Sequence, residues 1–324
     1  MSHSIFSASQ LAPILQGRTT AFCGFGKGSG KSTALSWALR KVQELDSAAI
    51  MTIGAHNAAR AEVKGEDSGA LKVRPGDLAL TSLPRAQASG AAMEIVHTVP
   101  GRTTQGRLVV ARAHRSGEVS LVGPEHLSSL QEAIAVIRGE GWSSTILIDG
   151  AADRLTQLGA LPDLQFLYTM CLGPHNLTAA LEQLRFLQSL LSLPLVESAS
   201  TAAEAKSANT TTEDKSASTV AEAKSAETAA GTKSVPFHFP GALTAGELEK
   251  LPEQPETLII EDFSKVFLTF RQWQQLLKST QVYVKRRIPL AGVWIVSREL
   301  EKARLDTALA EIELPFIYNP YLQI

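Results

Sequence analysis

The sequence predicts an α/β fold: an open, mostly parallel sheet with helices on both faces, a β-rich insertion at residues 71–122 and a C-terminal α/β segment. Three observations predict it. Strand-length apolar runs alternate with helical periodicity between Thr19 and Gly54, the signature of a βαβ unit. A glycine cluster stands where the first strand gives way to the first helix. Further on, a second apolar run ends in a lone acid, Asp149.

Taken in order, Thr19–Cys23 is a buried strand, and Ser32–Leu45 a helix with Leu35, Leu39, Val42 and Leu45 at helical spacing. Ala48–Gly54 is the second strand. From Leu71 to Val122 the pattern breaks into short apolar stretches, Leu78–Thr81, Met93–Val99, Arg107–Ala113 and Val119–Val122, with turns expected at Gly106 and Gly117 between antiparallel strands. Glu125–Arg138 returns to helix, with Leu127, Leu130, Ile134 and Ile137 on one face and Gly139 and Gly141 as the stop. Thr145–Ile148 and Phe166–Cys171 follow as strands, and Leu177–Leu193 as a helix.

Residues 197–234 are built almost wholly of Ala, Ser, Thr, Glu, Lys and Asp, and cannot bury a core. They form an imperfect tandem repeat: Ser198–Thr201 recurs at Ser216–Thr219, and Ala203–Lys206 at Ala221–Lys224. This tract is expected as a disordered linker between a nucleotide-binding domain, 1–196, and a C-terminal segment, 235–324. That segment carries strands at Thr257–Ile260, Val282–Val284 and Gly292–Val296 and helices at Trp273–Leu277 and Arg298–Ile312. It either completes the first sheet or packs against it.

Composition narrows the function classes. The chain is 44% hydrophobic, with 31 basic and 32 acidic residues and no basic stripe, which argues against nucleic acid as a ligand. No apolar run is long enough for a membrane span and no leader pattern opens the chain, so a cytoplasmic protein is expected. Cys23 and Cys171 lie in apolar strands without CxxC or His at metal spacing, and read as inert thiols.

The chemistry lies in Gly24-Phe25-Gly26-Lys27-Gly28-Ser29-Gly30-Lys31-Ser32-Thr33, between a strand and a helix. Glycines let backbone N–H groups converge on phosphate oxygens, and the helix N-terminus adds partial positive charge. The loop is thus expected to be a P-loop, and the sheet that of a P-loop NTPase, with ATP and Mg²⁺ as ligands. Gly26, Lys27, Gly28, Ser29, Gly30, Lys31, Ser32 and Thr33 form the nucleotide-contacting set. Lys31 reaches the β- and γ-phosphates, the Ser32 hydroxyl holds Mg²⁺, and Thr33 sits near the α-phosphate. Phe25 occupies the position where the usual pattern has its first glycine, with Gly24 and Gly26 on either side. Lys27 lies four rather than five residues before Lys31, so the trans-acting role of the extra lysine in ParA- and MinD-type ATPases is not expected of it.

The strand Ser144–Asp149 matches a Walker B segment, whose acid reaches Mg²⁺ directly or through water. Asp153 and Arg154 follow closely; Asp153 is the candidate to position a water or sense the γ-phosphate, and the competing reading is a surface cap with its ion pair. The string Asn-Lys-x-Asp of guanine-specific proteins is absent, which favours ATP over GTP.

In Cys23–Thr33, Thr98–Ala113 with Gly117–Pro124, Leu147–Arg154 and Ile260–Phe267, the chain resembles a P-loop family that includes the ATP-binding subunit of lysine aminomutase reactivases. The resemblance implies an ATPase that remodels or reactivates a cobalamin-dependent mutase beside a second subunit. The cofactor would belong to the partner, because the chain has no Asp-x-His-x-x-Gly motif. The leading expectation is an ATP/Mg-driven switch acting on a partner protein. A small-molecule kinase and a nucleotide-binding scaffold with little turnover are the alternatives.

Overall fold

The computed structural model describes residues 5–6, 10–26, 28–53, 70–103, 105–150, 158–196, 236–250 and 255–321. The expected linker 197–234 lies wholly outside the described residues, as do Lys27, Asp153 and Arg154. The chain divides into two compact units, one of residues 1–188 and 288–324 and the other of residues 189–287. This differs from a division at the low-complexity tract, because the last strands of the chain return to the first sheet.

The larger unit is mixed α/β, built on a large, mostly parallel sheet. Its strands are β1 (Ile5–Phe6), β2 (Thr19–Gly24), β3 (Ala48–Thr52), β5 (Leu78–Ser82), β6 (Met93–Thr103), β7 (Gly106–Ala113), β9 (Thr145–Asp149), β10 (Leu164–Leu172), β16 (Leu290–Ser297) and β17 (Phe316–Tyr318). They lie in the order β1-β17-β16-β10-β2-β9-β3-β5-β7-β6, and β7 alone runs against the rest. The short β4 (Ala70–Val73) and β8 (Gly117–Ser120) pair antiparallel as a separate ribbon.

The central strands read as continuous apolar runs because both of their faces are buried. On one face Phe22, Ile50, Leu147, Leu167, Trp294 and Ile317 pack with helices α1 (Leu11–Leu15) and α2 (Lys31–Val42). Residues at the alternate positions, Ala21, Cys23, Met51, Ile146 and Ile148, are equally buried. Helix α2 buries Ala34, Leu35, Trp37, Ala38, Leu39 and Val42, and the Trp37 ring lies 5.4 Å from that of Trp294 in β16; of the predicted face, Leu45 falls beyond the end of the helix and is exposed. A short helix, α3 (Leu83–Ala88), follows β5.

Segment 71–122, expected as an insertion, contributes three strands to the main sheet. The five residues of β5 are all buried, and Leu78 and Ala79 pair in parallel with Ala49 and Ile50 of β3; β7 and β6 continue the sheet as a hairpin turning at Gly106, whose φ is +113°. Gly117 differs from expectation: it opens β8, which pairs with β4 and not with β7. Helix α4 (Leu127–Gly139) ends as predicted at Gly141, whose φ of +66° lets Gly141 and Trp142 donate to the carbonyls of Arg138 and Ile137, closing the last turn.

A buried carboxylate ties this unit together below the site. Asp77 accepts from the N–H groups of Ala48 and Arg74 and from the Gln43 side chain at 2.6–3.0 Å, joining the start of β3, the β4–β5 turn and the end of α2. Burial pushes its carboxyl up, against the opposing pull of these donors.

The smaller unit holds a three-stranded parallel sheet, β11 (Phe237–His238), β13 (Thr257–Ile260) and β15 (Gln281–Val284), and a two-stranded one, β12 (Leu243–Thr244) with β14 (Val266–Phe267). Helix α5 (Leu177–Leu191) enters it, and α6 (Ala245–Glu249) and α7 (Phe270–Leu276) belong to it, the last opened by a Thr269/Gln272 capping box. In the segment Ile260–Phe267, Asp262 is fully buried; it caps Ser264 and receives Arg286 through Nε at 3.2 Å and Nη2 at 2.8 Å. Back in the larger unit, α8 (Lys302–Leu309) is shorter than the helix expected from Arg298, because Glu299 takes φ +58° and turns the chain.

Candidate functional site

The connections of the sheet diverge between β2 and β10. From β2 the chain passes beyond β9 to β3, whereas β10 lies on the other side of β2 and leads outward to β16 and β17. A crevice outside the carboxyl ends of parallel strands, at such a divergence, is where α/β sheets bind ligands. The loop Gly24–Thr33 occupies it.

Each glycine of the loop has its own geometric reason. Gly24 ends β2 opposite Thr169 in β10, and a Cβ there would fall 2.1 Å from the Thr169 hydroxyl, 2.3 Å from that of Ser29 and 2.8 Å from the Thr169 carbonyl. Gly26, Gly28 and Gly30 take φ of +77°, +81° and +91°, values that L side chains rarely adopt. Gly30 is the N-cap of α2 and packs against Val296 of β16, too close for a Cβ. As a glycine, the N-cap offers no side chain to that helix, so the first N–H groups of α2 have no cap from it and no intrahelical partner.

Lys31, half-buried in the first turn of α2, folds back over the loop. Its Nζ donates to the Gly26 carbonyl at 3.1 Å and to Ser29 Oγ at 3.4 Å. Ser29 is buried, while Ser32 and Thr33 are exposed at the helix start.

Asp149 stands at the carboxyl end of β9, paired with Phe22 of β2 on one side and Thr52 of β3 on the other. The Thr52 hydroxyl donates to its backbone carbonyl at 3.0 Å, and Gly150 N–H donates to the Phe22 carbonyl at 3.1 Å. The strand end is thereby fixed beside the strand that carries the loop. Cys23, between them, is buried; desolvation pushes its thiol up to about 12 even though Lys31 pulls it down, so it is an inert neighbour.

Lys31, Ser32, Thr33, Gly26, Gly28, Ser29, Gly30 and Asp149 therefore share one edge of the sheet. The placement of Lys27, Asp153 and Arg154 falls outside the described residues. Residue Thr169 was not marked by any motif. It is fully buried, its hydroxyl lies 3.0 Å from Ser29 Oγ, and its carbonyl accepts from Phe25 N–H at 3.0 Å. Only the pairing of β10 with β2 brings it there.

An acid at a strand end and a hydroxyl at a helix start are hard oxygen donors of the kind Mg²⁺ takes; among the described residues no group of three or more His, Cys, Asp and Glu side chains is placed to hold a metal ion. Among the described residues, no helix is long and apolar enough to cross a membrane. Comparison with protein-family models, with curated proteins and with solved structures finds no match to this chain.

Proposed function

We propose that the chain is a P-loop NTPase that binds ATP with Mg²⁺ and uses the nucleotide to switch its affinity for a partner protein. The observation that carries this reading is the loop itself. Three left-handed glycines lead into an uncapped helix N-terminus at the topological divergence of a parallel sheet, with a lysine turned back onto the loop's own carbonyl.

The lysine contact is one that phosphate can replace. An ammonium has three donors and no acceptor, so moving from the Gly26 carbonyl to a charged phosphate oxygen exchanges a neutral acceptor for an ionic one. The N–H groups of the helix start supply further donors, and the dipole of α2, a twelve-residue helix, favours negative charge at that end. Ser32 and Asp149 would hold Mg²⁺, which when bound neutralises charge between the phosphates.

Partner control is the part of the reading carried by the resemblance, which implies a cobalamin-dependent mutase with a second subunit. Fold alone does not choose the partner. Calorimetric titration of the protein with non-hydrolysable ATP and GTP analogues, with and without Mg²⁺, tests the nucleotide claim. Saturable, magnesium-dependent binding that favours ATP is expected; no binding of either analogue overturns it. Acceleration of ATP turnover by a partner protein, and not by a small acceptor molecule, is the expected mark of a switch.

A further inference from the structure

We infer that Thr169 is a positioning residue for the phosphate loop, holding it open from the neighbouring strand. The inference rests on the nucleotide reading of the same site and adds the residue that sets the loop's shape.

Thr169 touches the loop at two points that lie four residues apart. Its backbone carbonyl accepts from Phe25 N–H at 3.0 Å, where the chain leaves β2. Its hydroxyl meets the buried Ser29 hydroxyl at 3.0 Å, where the chain is about to enter α2. Between these points Gly26 and Gly28 take left-handed conformations and are exposed. The two contacts of Thr169 fix the loop where it leaves β2 and where it enters α2, and Lys31 Nζ holds the Gly26 carbonyl from the helix side.

The three groups are in hydrogen-bond reach in turn. Lys31 can only donate, so Ser29 Oγ accepts from it at 3.4 Å, and either the Ser29 or the Thr169 hydroxyl can be the donor between the two. Thr169, Ser29 and Lys31 thus form one chain from the sheet interior to the ammonium that would meet phosphate. Gly24 completes the arrangement: a methyl group there would occupy the place where the two hydroxyls meet. Thr169 itself, fully buried in β10 with β2 and β16 on either side, is held by the sheet and not by the loop.

The role is one of order before binding. A loop that must find its conformation when the ligand arrives loses affinity by the cost of ordering, and pre-organisation removes that cost.

The test titrates full-length wild type, Thr169→Val and Thr169→Ser with a non-hydrolysable ATP analogue and Mg²⁺, with melting of the ligand-free proteins measured alongside. Valine keeps the shape and removes the hydroxyl; serine keeps the hydroxyl. Thr169→Val is expected to weaken binding about tenfold, the equivalent of one lost net hydrogen bond, and Thr169→Ser to restore it to within about twofold of wild type. Ser29→Ala removes the bridge from the other side without touching β10, and should weaken binding similarly, with no further loss in the double variant. A lower melting temperature with unchanged affinity, equal losses in Val and Ser variants, or additive losses in the double variant would overturn the inference. Wild-type protein that fails to bind the analogue overturns the nucleotide reading and this inference with it; variants that bind as well as a binding wild type overturn this inference alone.

Discussion

The ammonium of Lys31 sits 3.1 Å from the carbonyl of Gly26, so the loop's only described cation closes on the loop that precedes it. That contact is exposed and helps to hold the ligand-free loop, but Lys31 is not part of the core. Lys31→Ala should therefore leave folding intact while weakening nucleotide binding about a hundredfold or more, the loss of two charge-assisted hydrogen bonds. Calorimetry on the variant checks this, and wild-type affinity would remove Lys31 from the site.

The main chain of Asp149 is held independently of the magnesium role proposed for its side chain. Its backbone stays paired on both sides and bonded by Thr52 whatever the side chain carries. Asp149→Asn should keep the melting temperature near that of wild type and abolish most of the difference in nucleotide affinity expected between titrations with and without Mg²⁺. An unchanged magnesium response would exclude the carboxylate as a ligand.

Gly24 and Gly28 make a contrasting pair. At Gly24 an added Cβ meets a main-chain carbonyl at 2.8 Å as well as two hydroxyls, and Gly24→Ala should cost about 2–3 kcal/mol of stability. At Gly28 a Cβ meets nothing within 4 Å, so only its φ of +81° resists, and Gly28→Ala should cost about 1 kcal/mol. Denaturant melts of the two variants give the comparison.

How much of this was legible in the sequence depends on how local each signal is. The path from β2 through the loop and α2 to β3 was legible because glycine conformation and helical spacing act over a few residues. Asp149 was legible for the same reason, as an apolar run with an acid at its end. Thr169 was not, because its contact with Ser29 spans 140 positions and arises only when β10 pairs with β2. Nor could an apolar run announce its sheet: Thr257–Ile260 and Leu290–Ser297 look alike as buried strands, yet they belong to different sheets. Helix α8 began late because the turn is made by Glu299, a residue with no turn signature.

The Asp77 carboxyl gives a prediction in pH. Its value is raised by burial, so the folded chain retains this proton where the unfolded chain, titrating near about 3.9, has released it. The stability owed to that titration is whole below about 3.9 and is lost as pH rises through the folded value. Asp77→Asn removes the titration, so the stability of wild type relative to the variant should fall as pH rises from about 3.9 through the raised folded value. Chemical denaturation across that range measures it; a relative stability that rises instead would mean that the three donors outweigh burial and hold the carboxyl low.

The smaller unit interrupts the larger one between β10 and β16. A ribosome therefore delivers the loop and α2 early and their backing strand late. Until residues through Ser297 have emerged, β10 lacks its outer neighbour, Trp37 its aromatic partner Trp294, and Gly30 the Val296 side chain against which it is seated. A nascent chain halted within residues 189–287 already contains every residue of the loop but not the wall that seats it. The nucleotide affinity proposed for the loop would on this account be acquired near the end of translation, and truncated chains would be poor competitors for the ligand.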